Sequence, residues 1–231
     1  MKKQVLIALA AVAASMTLLA GCTSRGPTDD PVRRAFTWFS YVNGDDLRQR
    51  CTPGGSASYR LVYNAVYDAQ VRTYDIHVDP GGRAGVVETR VFGGPAGPDI
   101  TTDDLLAPWR GKTSSAPIDR AGLATLDRAL AAAGFDEPAP LGLALRSEGF
   151  FGAIGRCRDG QYKFNAYASP SPRFDKLRVL AALAPYDRTG VAVNPPTGEY
   201  LPPSGASHSR ELAADNRLNF RLEVARNGIV K

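Results

Sequence analysis

Tyr74-Asp75-Ile76-His77-Val78-Asp79-Pro80-Gly81-Gly82-Arg83-Ala84-Gly85-Val86-Val87-Glu88-Thr89-Arg90 is the stretch on which the fold turns. Tyr74, Ile76 and Val78 alternate with Asp75, His77 and Asp79, the period-two pattern of a half-buried strand. Gly81-Gly82-Arg83-Ala84 offers a two-residue turn with glycine at its first central position, the chemistry of a type II′ hairpin. Folding the chain there sets Val78 opposite Val87, His77 opposite Glu88 and Asp75 opposite Arg90. Apolar then meets apolar, and each charged residue meets a suitable partner. An antiparallel hairpin is expected.

The same signals recur on both sides. Upstream, Tyr59, Leu61 and Tyr63 alternate with Arg60, Val62 and Asn64. Downstream, Asp159-Gly160 is a type I′ signal that sets Cys157 against Tyr162 and Gly155 against Phe164. That register buries Phe151, Ala153, Cys157 and Phe164 on one face. It also places Arg156 opposite Lys163, a like-charge pair that needs an acid nearby. Leu218, Phe220, Leu222 and Val224 alternate as a last strand, with a turn at Asn227-Gly228. Helical spacing separates these units. Asp30-Pro31 opens a helix over about 31–42 whose aromatic residues suit core anchors, and Asn43-Gly44 stops it. Leu123, Leu126, Leu130 and Ala133 form a stripe ended by Gly134, with Phe135 beyond it. Ser171-Pro172 opens another helix, with Phe174, Leu177, Leu180 and Ala184 inward until Pro185. Asn194-Pro195-Pro196 marks an extended surface connection, and a short helix is expected around 208–215. The order argues for an α+β fold: a mainly antiparallel sheet built from β-hairpins with three or four packed helices. One domain over about 30–231 is expected, with the Pro/Gly-rich stretch 93–117 as the only place to split it.

The amino terminus speaks of export. Lys2 and Lys3 precede an almost wholly apolar run from Val5 to Leu19, the length of a signal-peptide core and too short to span a bilayer. Leu19-Ala20-Gly21-Cys22 follows, and these residues resemble the bacterial lipobox. The resemblance implies lipidation of Cys22, removal of residues 1–21, and a tether over 22–29 that fixes the chain to the membrane. Thr23, where an aspartate would favour the inner membrane, implies the periplasmic face of the outer one. Processing lowers the formal charge from +5 to +3, because the leader carries Lys2 and Lys3 and no acid. So modest a charge gives little reason to expect a nucleic-acid partner. Of the three cysteines, lipidation of one leaves Cys51 and Cys157, most simply a disulfide in an oxidising compartment.

Chemistry is harder to read. The sequence holds no G-x-S-x-G, S-x-x-K, H-E-x-x-H or C-x-x-C, and no cofactor is expected. Asp75, His77 and Asp79 share a strand face and are the candidate metal or acid–base trio, against the plainer reading of a charged solvent face. Arg156, Arg158 and Lys163 are the candidate ligands for an anionic group, against a solvated face neutralised by its neighbours. Beside a lipid-carrier role, which would need a long apolar cavity between sheet and helices, two expectations of different class remain. One is a binding or scaffolding protein with an envelope protein partner; the other is an envelope hydrolase without a local motif.

Overall fold

The computed structural model describes residues 38–67, 69–93, 111–196 and 220–230. Its centre is a six-stranded antiparallel sheet of β1 (Ser58–Ala65), β2 (Gln70–Val78), β3 (Ala84–Phe92), β4 (Lys112–Asp119), β6 (Phe150–Arg158) and β7 (Gln161–Ala168). The spatial order is β4-β3-β2-β1-β6-β7. A smaller sheet pairs β5 (Ala144–Arg146) with β8 (Arg221–Ala225) and β8 with β9 (Gly228–Val230). The helices are short: α1 (Asp45–Arg50), α2 (Arg120–Ala132), α3 (Pro172–Asp175) and α4 (Val179–Leu183), with a further helical segment at 38–43. The class is α+β around a large antiparallel sheet. No described helix is long and apolar enough to cross a membrane.

Both hairpins form, but only one keeps the expected register. Asp159 and Gly160 both take positive φ, 53° and 72°, and β6 pairs β7 with Cys157 opposite Tyr162 and Arg156 opposite Lys163. The β2–β3 hairpin is shifted by two residues: Val78 faces Gly85, His77 faces Val86, and Asp75 faces Glu88. The reason lies in Pro80. A turn centred on Gly82-Arg83 would place Pro80 within the ladder, where it has no N–H to give. Instead Asp79 and Pro80 open a turn closed by Gly82 N–H donating to the Asp79 carbonyl (2.8 Å), and the Asp79 N–H donates to the carbonyl of Ala84 (2.9 Å). Gly82 takes the φ of +65° that ends such a loop. A two-residue slip preserves which face each side chain occupies and changes only its partner.

At β1 and β2 the main sheet is buried on both faces, whereas β3 and β4 leave one face exposed. β1 is therefore not the half-buried strand its alternation implied: Arg60, Val62 and Asn64 are as buried as Tyr59, Leu61 and Tyr63. On one face, Leu61, Tyr74, Ile76 and Val87 pack against Leu123, Leu126 and Leu130 of α2 and Val179 and Leu183 of α4. Asp119 caps α2 by accepting from the Gly122 N–H (2.8 Å). Gly134 (φ 67°) ends its last turn, with Phe135 fully buried beyond it. On the second face, Val62, Phe151, Ala153 and Phe164 meet Trp38, Tyr41 and Val42, together with Leu145, Leu222 and Val224 of the small sheet.

Several expectations shift. Ser171 does cap a helix, accepting from the Phe174 N–H, but the helix breaks after Asp175 and restarts at Val179. Val179 and Leu183 turn inward there, while Ala184 is exposed. The stretch 93–117 yields strand β4, which pairs with β3 and extends the same sheet. The extended connection at 194–196 is pinned to the helix-bearing face. The Tyr63 hydroxyl donates to the Asn194 carbonyl (2.7 Å), and Arg72 donates to the Val191 carbonyl (2.6 Å) while pairing with Asp187. The start of the 31–42 helix, the 208–215 helix and the leader lie outside the described residues.

Candidate functional site

Asp75 stands at the centre of a buried charge network on the second face. Arg60, its cross-strand neighbour on β1, donates from Nε to Asp75 Oδ1 (2.7 Å) and from Nη1 to Asp46 Oδ1 (2.6 Å). The Tyr41 hydroxyl donates to Asp75 Oδ2 (2.5 Å), and its ring lies 3.7 Å from the Arg60 guanidinium carbon. Burial, then the neighbouring Asp75 carboxylate, push the Tyr41 phenol far up, so it stays a proton donor. The network ties segment 38–43 and α1 to the sheet. Sequence reading missed it because Arg60 alternates with apolar residues and so passes for a solvent-facing charge.

The shifted register then brings Glu88 beside Asp75. Cross-strand partners share a face, their Cβ atoms about 4.5–5.5 Å apart, and like charges so placed repel. Glu88 is exposed and has no ion-pair or hydrogen-bond partner among the described residues. It lines a groove of about 380 Å³ over β2, β3 and β4 with Thr73, Asp75, Arg90, Thr113 and Ser115; Thr89 and Ser114 complete the lining. Ser115 is the β4 partner of Glu88, and Thr113 that of Arg90. Both hydroxyl residues are exposed. The groove therefore presents one carboxylate without a partner among the described residues, together with hydroxyls, on a strand scaffold; Arg90 also lines it but already has a partner of its own.

The other candidates fall elsewhere. The Asp75, His77 and Asp79 trio is not gathered: Asp75 is buried and engaged, while His77 and Asp79 are exposed. His77 does not face Glu88, nor Asp75 Arg90. Among the described residues, no three His, Cys, Asp or Glu side chains stand together in a way that could hold a metal ion. The basic set lies on the α2 side and is met by acids. Arg156 pairs with Asp136 (2.7 Å), Lys163 with the same carboxylate (3.5 Å), and Arg158 with Asp127 (2.6 Å). Burial pulls the Asp136 carboxyl up, but Arg156 and Lys163 outweigh it and hold it below the usual range. Arg158 and Asp127 also touch the Tyr59 hydroxyl, at the wall of a second cleft of about 430 Å³. Burial and the neighbouring Asp127 push the Tyr59 phenol up to about 12.

Cys51 and Cys157 are disulfide-bonded, with Cα atoms 5.6 Å apart. Cys157 is carried inward as the β6–β7 register requires. Cys22 lies outside the described residues. Comparison with protein-family models, curated proteins and solved structures finds no match. The meaning of the groove therefore rests on its own chemistry.

Proposed function

We propose that this chain is a lipid-anchored envelope protein, held through Cys22 at the periplasmic face of the outer membrane, whose body binds or scaffolds an envelope component. Glu88 carries the binding half of this reading: a carboxylate side chain with no ion-pair or hydrogen-bond partner among the described residues, set against a second one in a groove. Sites that break a local pairing rule are where function is expected to reside. The Cys51–Cys157 bridge supports the location, since such bonds persist in oxidising compartments. The experiment is capture of the lipidated protein from crosslinked envelopes. A component recovered with the wild type and with Arg156→Gln, but lost with Glu88→Lys, is the expected result. Recovery indifferent to Glu88 overturns the reading. Cys22→Ala should release the protein from the membrane fraction, and retention there would overturn the anchor.

An envelope hydrolase is the second reading, favoured by the cleft where Tyr59, Asp127 and Arg158 converge. The raised phenol makes Tyr59 a proton donor at neutral pH rather than a nucleophile. Turnover of generic ester, amide or glycoside substrates that disappears in Asp127→Asn would support it, and turnover unchanged by that substitution would remove this cleft from the reading.

A further inference from the structure

Asp79, Arg120 and Asp159 are exposed, and none of their side chains has an ion-pair or hydrogen-bond partner among the described residues. All three line the cleft of about 430 Å³ at the end of the main sheet from which the β2–β3 and β6–β7 turns emerge. The other charges of that cleft are engaged with one another: Arg158 pairs with Asp127 (2.6 Å), and the Tyr59 hydroxyl donates to Asp127 (3.0 Å). Arg120 is the first residue of α2, where the helix dipole disfavours a cation. No acid shares that first turn, and the N-cap Asp119 accepts from the Gly122 N–H. An unpaired cation so placed breaks a local rule without a compensating contact in the protein.

The strand order sets the spacing of the three charges. Arg120 follows β4, Asp79 follows β2 and Asp159 follows β6, with β3 and β1 standing in between. Each step is two strand spacings, about 10 Å between backbones. Along the cleft the unpartnered charges therefore run positive, negative, negative. A simple cation would leave Arg120 unmet, and a simple anion would leave both carboxylates unmet. We infer that this cleft takes a cationic α-amino acid, with its carboxylate on Arg120, its α-ammonium on Asp79 and its side-chain cation on Asp159. The long Arg120 side chain covers most of the first step, so two charges on one carbon can meet Arg120 and Asp79 together. The second step lies between two short aspartates and is left to the ligand's own methylenes. Ala57, which precedes β1 and so lies between the two acids, and Leu123 give those methylenes apolar surface. The inference rests on neither reading above and needs no turnover.

The test is calorimetric titration of the detergent-solubilised, lipidated full chain with L-lysine, with L-norleucine, which lacks the side-chain amine, and with cadaverine, which lacks the carboxylate. Lysine is expected to saturate the protein, and norleucine and cadaverine each to bind about tenfold more weakly through loss of one charge-assisted hydrogen bond. Asp159→Asn suits the same left-handed turn position, and should weaken lysine about tenfold while leaving norleucine unchanged. Arg120→Gln should weaken lysine and leave cadaverine unchanged. A merely structural role for these side chains would weaken all three compounds alike, and that result overturns the inference. So does norleucine or cadaverine binding as tightly as lysine, or no saturation by any of them at about 10 mM. Nα-acetyl-lysinamide binding as tightly as lysine would assign the cleft to a lysine within a peptide and overturn it as well. Capture from envelopes through Glu88 is a separate measurement, so this inference and the binding reading fail separately.

Discussion

Two hairpins of the main sheet, β2–β3 and β6–β7, each set like charges face to face, and they resolve the conflict differently. In β6–β7, Arg156 and Lys163 are opposed, and Asp136, from the turn after α2, reaches both. The Lys163 ammonium also donates to the Asp136 carbonyl (2.5 Å). In β2–β3, Asp75 and Glu88 are opposed. Asp75 is neutralised from its other side by Arg60, and Glu88 is left facing the groove. The first conflict is closed within the protein and reads as structure. The second is closed on one side only, and the open side is the one a ligand can reach.

The largest effect is expected at the bridge that anchors the closed hairpin. Cys51→Ser with Cys157→Ser removes a crosslink between residues 106 apart, which chain-entropy arguments value at about 4–5 kcal/mol. Urea unfolding should show the loss, and an unchanged midpoint would mean the bridge constrains little. Next comes Arg60→Leu, which removes the buried guanidinium between Asp46 and Asp75, leaving Asp75 with the Tyr41 hydroxyl and Asp46 with Arg50. A loss of about 3–5 kcal/mol is expected, and a loss below about 1 kcal/mol would show the network to be dispensable. Asp136→Asn should cost less, at most about 1 kcal/mol, because its carboxylate is 57% exposed and screened. Its sign with pH is fixed by the depressed carboxyl. Stability from a depressed acid is present above its unfolded pKa, about 3.9, and is lost as pH falls through the lower folded value. The difference between wild type and Asp136→Asn should therefore be full at pH 7 and vanish in strong acid. A difference that grew on acidification would contradict the pairing.

How far the sequence could be read follows from where the deciding residues lie. The β6–β7 hairpin was legible down to its register because Asp159-Gly160 admits one tight turn and the flanking alternation agrees with it. The β2–β3 hairpin was legible as a hairpin but not in register: charge complementarity favoured one pairing, while Asp79-Pro80 dictated another. Strand β4 escaped notice because its first five residues, Lys-Thr-Ser-Ser-Ala, carry little apolar alternation and a proline follows, as suits an edge. Helix α1 was missed since Gly44, at φ 69°, does stop the preceding segment and the chain turns helical again at once. The acid partners of the basic set, Asp127 and Asp136, were invisible for a different reason. They come from a helix and turn 20 or more residues away in sequence, and only packing brings them in. The groove depended on the shifted register and on β4, so neither half of it could be read locally.

The central claim, that Glu88 stands beside Asp75 without a compensating partner among the described residues, is tested most directly by the equilibrium stability of Glu88→Gln at neutral pH and low salt. Removing one charge of a repelling pair should raise the unfolding free energy by a few tenths of a kcal/mol, up to about 1, and added salt should shrink the gain. A fall in stability would mean that Glu88 is already held by a favourable partner, and the groove would lose its reason to bind.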